Sequence, residues 1–254
     1  MLVEPPPHVA PAGSLLFVPA FAEELNKSRR MVARGARALA AVGWTTLILD
    51  PFGCGDSPGD FADASWAAWI DDVVLAHGWL AERTGVTPGL WAMRAGAVLA
   101  AAALPRMGRV VQCLLWQPVL SGEIAIQQFL RLRVAAGAIG GAVERTTSAE
   151  LLARLECGKP VDIGGYRLAP SLALPMRASG LEGLAGVDRL TWLEVSLWEP
   201  AEIAPASLGR IAALRSAGTR VRAEAVKGPP FWLAQEIEEC DALLEATLRA
   251  VESK

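Results

Sequence analysis

Only two of the 254 residues, His8 and His77, carry an imidazole, and that scarcity excludes more chemistry than any other count. His8 sits in a proline-rich amino-terminal stretch and His77 inside a helical pattern, so a mechanism built on a histidine base has almost no candidates. Cysteine is nearly as sparse. Cys54, Cys113, Cys157 and Cys240 are widely spaced and form no C-x-x-C pair, which argues against a zinc ribbon and a disulfide framework. No metal site and no cofactor are expected. An excess of one charge is also missing: 24 Lys plus Arg face 27 Asp plus Glu, so no basic surface calls for nucleic acid or an anionic membrane. No stretch reaches the roughly 20 apolar residues of a membrane span. Met1–Ala12 lacks the basic patch and apolar run of a secretion signal. The expectation is a cytoplasmic protein without a transmembrane segment.

What the chain does have is apolar residues, 52% of the total, enough for one sizeable domain with an insertion. Leu15–Pro19, Thr45–Asp50, Gly89–Met93 and Val110–Gln117 are short apolar runs of the buried-strand type. Helical patterns separate them: one capped by Asn26 or Ser28 and ended by Gly43, one over Trp66–Thr84, one over Ala97–Leu104. Strands and helices alternating at this spacing imply a mostly parallel, doubly wound α/β sheet with helices on both faces. From residue 119 to 187 the pattern changes to helical pieces and Gly/Pro-rich connections, read as a helical lid inserted into a core of 1–118 and 188–254. Leu190–Leu197 and Val221–Val226 resume the strands, with helices over Ala206–Gly218 and Gln235–Val251.

Gly89–Met93 turns through Arg94-Ala95-Gly96 straight into the next helix. In an α/β hydrolase that junction is the G-x-S-x-G elbow, whose small flanking residues permit a strained backbone and aim a serine into the site. Here the stretch reads Ala92-Met93-Arg94-Ala95-Gly96. The turn survives, but arginine stands at its apex and cannot be a nucleophile. The acid should follow the penultimate strand, where Glu199 lies with Glu194 and Glu202 as neighbours. The histidine should follow the last strand, where Lys227-Gly228-Pro229-Pro230-Phe231-Trp232 stands instead. A Ser-His-Asp mechanism lacks its nucleophile and its base together.

The stretches PAFAEELNKSRRMVARGARALAAVGW, DPFGCGDSPGDF, LLWQPVLSG with QFLRLR, and GPPFW with QEIE resemble the family called exosortase A system-associated hydrolase 2, an α/β-hydrolase-like group. The resemblance runs over nearly the whole chain. It implies a bacterial protein encoded beside machinery for exopolysaccharide production and protein sorting to the cell surface, in a group where arginine at the elbow apex is normal.

Arg94 should project into the pocket, and a dehydrated guanidinium needs a partner. Glu23 or Glu24, in the loop after the first strand, is the candidate. The pair either rigidifies the site or leaves Arg94 to bind a carboxylate or phosphate through its fork; Phe21, Met93 and Trp232 are further candidates for ligand contact. Cys54, between two glycines beyond the second strand, is a weak nucleophile candidate for want of a base, and that turn lacks the spacing of a phosphate-binding loop. Asp56 is expected to organise its loop through backbone N–H groups, and a catalytic role for it or for Glu199 is the weaker reading. Asp50 is expected to pair with Arg29 or Arg30. Trp116, Trp198 and Trp232 lie near strand ends and are candidates to line an apolar or sugar-stacking pocket.

Two functions follow. The chain binds an acyl, sugar or acidic small molecule, or a protein of the exopolysaccharide and exosortase system, without catalysis. Alternatively it is a hydrolase or acyltransferase acting on an ester or thioester by a non-serine mechanism.

Overall fold

The computed structural model describes residues 1–139 and 147–252. A two-residue strand β1 (Leu2–Val3) precedes β2 (Gly13–Val18), α1 (Glu23–Ala41) and β3 (Trp44–Ile48). Helix α2 (Trp66–Thr84), β4 (Gly89–Met93), α3 (Gly96–Ala103) and β5 (Gln112–Trp116) continue the alternation. There follow α4 (Gly122–Ile139), α5 (Ser148–Glu156), a small hairpin of β6 (Val161–Ile163) and β7 (Tyr166–Leu168), and α6 (Pro170–Arg177). Strand β8 (Arg189–Ser196), α7 (Pro205–Ser216), β9 (Arg220–Lys227) and α8 (Asp241–Glu252) complete the order.

Seven strands form one sheet in the order β1-β3-β2-β4-β5-β8-β9. Only β1 runs antiparallel, pairing Leu2 with Leu47; the other neighbours are parallel. Alternate residues of each strand face opposite layers. Phe17, Trp91, Met93, Leu114 and Trp116 pack with Met31, Val32 and Leu39 of α1 and Leu243 of α8. Leu16, Val18, Leu90, Ala92 and Leu115 pack with Trp69 and Val73 of α2, with α3, and with Ile211 of α7. The sheet is doubly wound, as its alternating pattern requires. Because β5 and β8 are direct neighbours, everything between them is an excursion from the sheet. Of the 119–187 lid expected there, residues 140–146 lie outside the described residues.

Several boundaries are set by packing. α2 runs from Trp66 to Thr84 as its signals indicate: the Ser65 hydroxyl accepts from the Ala68 N–H at 3.2 Å, and Gly85 closes it in the left-handed region. α1, by contrast, starts at Glu23, with Ala22 at φ 50° and no side-chain cap. Ser28 is inside the helix, its hydroxyl donating to the Glu24 carbonyl at 2.6 Å, and Asn26 donates to the Tyr166 hydroxyl at 2.8 Å. Glu23 and Glu24 therefore lie in a first helical turn, not in a loop. The last helix starts at Asp241, six residues later than its apolar spacing suggests. Glu239 bridges Arg30 and Arg34 of α1, and the Cys240 N–H meets the Met31 sulfur, which holds the preceding stretch against α1.

Candidate functional site

Strand β4 is buried along its length and ends in a turn with Arg94 at φ 54°. A non-glycine residue there carries strain of about 1–2 kcal/mol, and the surrounding backbone holds it. The Arg94 N–H donates to the Trp116 carbonyl at 3.0 Å, while the Arg94 carbonyl accepts from Ala97 at 3.1 Å and Val119 at 3.2 Å. Gly96 is dictated by approach: a Cβ there would sit 2.4 Å from the Pro19 carbonyl oxygen and 2.5 Å from that of Val18. The elbow therefore butts against the carboxyl end of β2.

The Arg94 side chain, 11% exposed, meets Glu24, 22% exposed. Nε donates to Oε1 at 3.1 Å and Oε2 at 3.2 Å, and Nη2 donates to Oε1 at 2.9 Å. Nη2 also reaches Gln128 Oε1 at 3.1 Å, and Nη1 reaches the Gln117 carbonyl at 3.4 Å. The Trp232 ring covers the guanidinium at 5.4 Å, a cation–π contact. Of the two candidate carboxylates, Glu24 takes the arginine. Glu23, one residue earlier and so rotated about the helix axis, lies 3.9 Å from Lys27 Nζ and accepts the Tyr166 hydroxyl at 3.5 Å. The fork that a ligand would use is thus engaged by Glu24.

Beside this bridge is a cavity of about 310 Å³. Phe21, Ala95 and Trp232 form its sheet side; Val119, Phe129 and Leu132 come from the excursion between β5 and β8. Phe21 stacks edge-on with Phe129 at 5.1 Å, and Tyr166 meets Phe61 at 5.1 Å and Phe129 at 6.2 Å. Gln128 and Phe129, which open the QFLRLR stretch, and Tyr166 belong to the site although the sequence did not assign them to it. The signal for Tyr166 was there: Gly164-Gly165 between two short alternating stretches is a hairpin turn, and it carries the chain's only tyrosine to α1.

The other expected site residues are elsewhere. Met93 is fully buried in the layer beneath α1 and α8, because its place in β4 points it away from the cavity. Trp116 is buried with its indole N–H on Thr247 Oγ1 at 2.8 Å, and Trp198 is 80% exposed; of the three tryptophans only Trp232 lines the cavity. Glu199 is exposed and ion-paired with Lys227. Glu194 is the buried carboxylate of β8, accepting Trp192 Nε1 and the Ala204 N–H, each at 2.8 Å. It pins the loop after β8 and meets no histidine. His77 is buried with Nε2 3.0 Å from the Pro88 carbonyl, before β4 begins, and burial lowers its pKa.

The turn after β3 is organised by Asp50, not by Asp56 as expected. Asp50 Oδ2 accepts the Asp56 N–H at 3.1 Å and its carboxylate takes Arg29 at 3.3 Å, while Asp56 itself is exposed. The reason is position: Asp50, at the strand end, lies beneath the turn. Cys54 is buried there. Burial, with the Asp50 carboxylate adding and Arg29 opposing, pushes its thiol up to about 12.

No protein-family profile matches the chain and no curated protein matches it in sequence. Solved structures do match in shape. Est1E from Butyrivibrio proteoclasticus, solved with ferulic acid bound, is 14% identical with a TM-score of 0.64, over 100% of this chain and 95% of that one. A thermostable carboxyl esterase from Bacillus coagulans in complex with glycerol is 11% identical with a TM-score of 0.62, over 99% and 91%. The α/β hydrolase GrgF from Penicillium is 15% identical with a TM-score of 0.60, over 99% and 92%. Sheet order, elbow and these likenesses together define an α/β-hydrolase fold.

Proposed function

We propose that the chain is a small-molecule-binding protein on the α/β-hydrolase fold, in which a bridged arginine replaces the nucleophile and the protein does not hydrolyse esters. The observation that carries this reading is the Glu24–Arg94–Trp232 assembly. It fills the place where serine hydrolases set their serine and histidine. A guanidinium stays protonated at working pH, and an indole N–H only donates; neither can attack a carbonyl or accept a proton. Cys54, held as a thiol by burial, offers no replacement.

The cavity supports a ligand with an apolar or aromatic body and a carbonyl or acidic head. Phe21, Val119, Phe129 and Leu132 provide the apolar walls. At the elbow, the Ala95 N–H has no acceptor among the described residues, and it opens the amino end of α3, where oxygen ligands are favoured. Lys27 stands at the rim. Acyl, sugar and acidic ligands all present such oxygens. The resemblance noted above supplies the setting, exopolysaccharide and exosortase systems, and makes a protein of that system a further candidate partner.

The test uses octanoate, and ferulate, the acid bound by the Butyrivibrio neighbour. Either should raise the melting temperature of the wild type but not of a folded Ala125→Trp variant, which fills the cavity without touching the bridge. Sustained turnover of nitrophenyl esters or acyl thioesters by the wild type would refute the reading.

A further inference from the structure

A larger cleft, of about 470 Å³, opens at the opposite edge of the sheet, where β5, β8 and β9 begin and the last turn of α8 ends. Among the described residues, the charged groups lining it are all positive. Arg189, Arg215, Arg220 and Arg222 line it together with Thr191 and Thr219. Arg222 is paired with Glu224. Arg189, Arg215 and Arg220 have no carboxylate within 4.0 Å among the described residues, although most arginines of this protein do. Among the described residues, Arg189 donates to Gln112 Oε1 at 3.4 Å and to no other side chain. Arg215 gives Nε and Nη2 to the Val221 carbonyl at 3.2 and 2.9 Å, and its Nη1 meets no acceptor among the described residues.

The register sets like charges side by side. Arg189 stands directly beside Arg220, and Thr191 beside Arg222, on one face of adjacent parallel strands. Neighbouring strands are about 4.8 Å apart, and like charges facing each other across that gap destabilise a sheet. The chain is net negative, at −3, so this is not the overflow of a basic surface. An anion bound across these strands would neutralise the facing charges.

We propose that this cleft binds a phosphate-bearing small molecule, its phosphate oxygens held by Arg189, Arg215 and Arg220. Guanidinium forks match phosphate oxygens, and three of them exceed what one carboxylate can satisfy. The volume lies within the range of ordinary small-molecule sites. The cleft is separate from the Arg94 cavity, since the two open at opposite ends of the strands.

Inorganic diphosphate is the probe, at ionic strength matched with sodium chloride. At about a hundredfold excess over its Kd it should raise the melting temperature of the wild type by roughly 5 °C or more. Arg189→Gln and Arg220→Gln should each weaken that response at least tenfold. Without diphosphate they should melt no lower than the wild type, because they relieve facing charges, so a lost response cannot be ascribed to misfolding. No wild-type response, an undiminished response in both variants, or an equal response to citrate at matched ionic strength would each overturn the proposal.

Discussion

Replacing Glu24 by glutamine tests the bridge at the elbow. The amide keeps one acceptor oxygen for Arg94 but turns the other position into a donor facing the guanidinium, whose Nε and Nη2 now make three contacts of 2.9–3.2 Å with the carboxylate. Removing one partner of a fully buried pair costs about 3–5 kcal/mol, and exposed pairs are worth about 0–1 kcal/mol. At 11% and 22% exposure the expected loss lies between, about 2 kcal/mol. For a chain of this length that corresponds to a fall in Tm of roughly 4–8 °C. Tm alone does not isolate the pair, so the full cycle with Arg94→Met and the double variant should be measured by urea unfolding. A coupling energy of about 1–3 kcal/mol is expected. A Tm within about 1 °C of the wild type, with coupling below about 0.5 kcal/mol, would show that Glu24 does not hold the arginine.

Restoring the nucleophile alone should restore nothing: Arg94→Ser has no histidine to take its proton, and robust esterase activity in that variant would sink the account of the elbow. His77 makes a pH prediction. Burial holds its pKa below the ordinary 6.5, so the unfolded chain binds more protons between the two values and stability falls as pH drops from 6.5 through that window. His77→Gln, which can still donate to the Pro88 carbonyl, should show a shallower loss of Tm from about pH 7 to about pH 5; parallel curves would contradict this. Thiol titration separates the cysteines. Cys157 is exposed while Cys54, Cys113 and Cys240 are buried, so the folded protein should react rapidly at one thiol and the urea-unfolded protein at all four. Rapid labelling of Cys54 would mean that its turn opens.

The central strands and the elbow were legible because their signals are local. Leu15–Val18 and Gly89–Met93 are apolar runs, and small residues flank Arg94 on both sides. What escaped depends on residues far apart in sequence. The start of α1 rests on Ala22 at positive φ, which no side-chain cap announces, and that shift is what puts Glu24 under Arg94. Strand β1 is two residues among prolines and exists only through its pairing with β3. The late start of α8 follows from Glu239 meeting Arg30 and Arg34 across more than two hundred residues. Tyr166 reaches the site on strands of three residues each, so the Gly164-Gly165 turn marks the hairpin locally but not where it docks.

A row of rings joins the interior to the arginine. Phe17 lies 4.6 Å from Trp91, Trp91 4.6 Å from Trp116, Trp116 6.3 Å from Phe231, and Phe231 5.1 Å from Trp232, which covers Arg94. Packed aromatic rings do not compress, so these five move together or not at all. The cavity wall is therefore the outermost member of a stiff strut anchored in the sheet. A ligand that displaced Trp232 would have to lever the centre of the molecule, whereas one that entered from the Phe129 side would push on the excursion and on Phe21. Adaptation to differently shaped ligands belongs to that second wall.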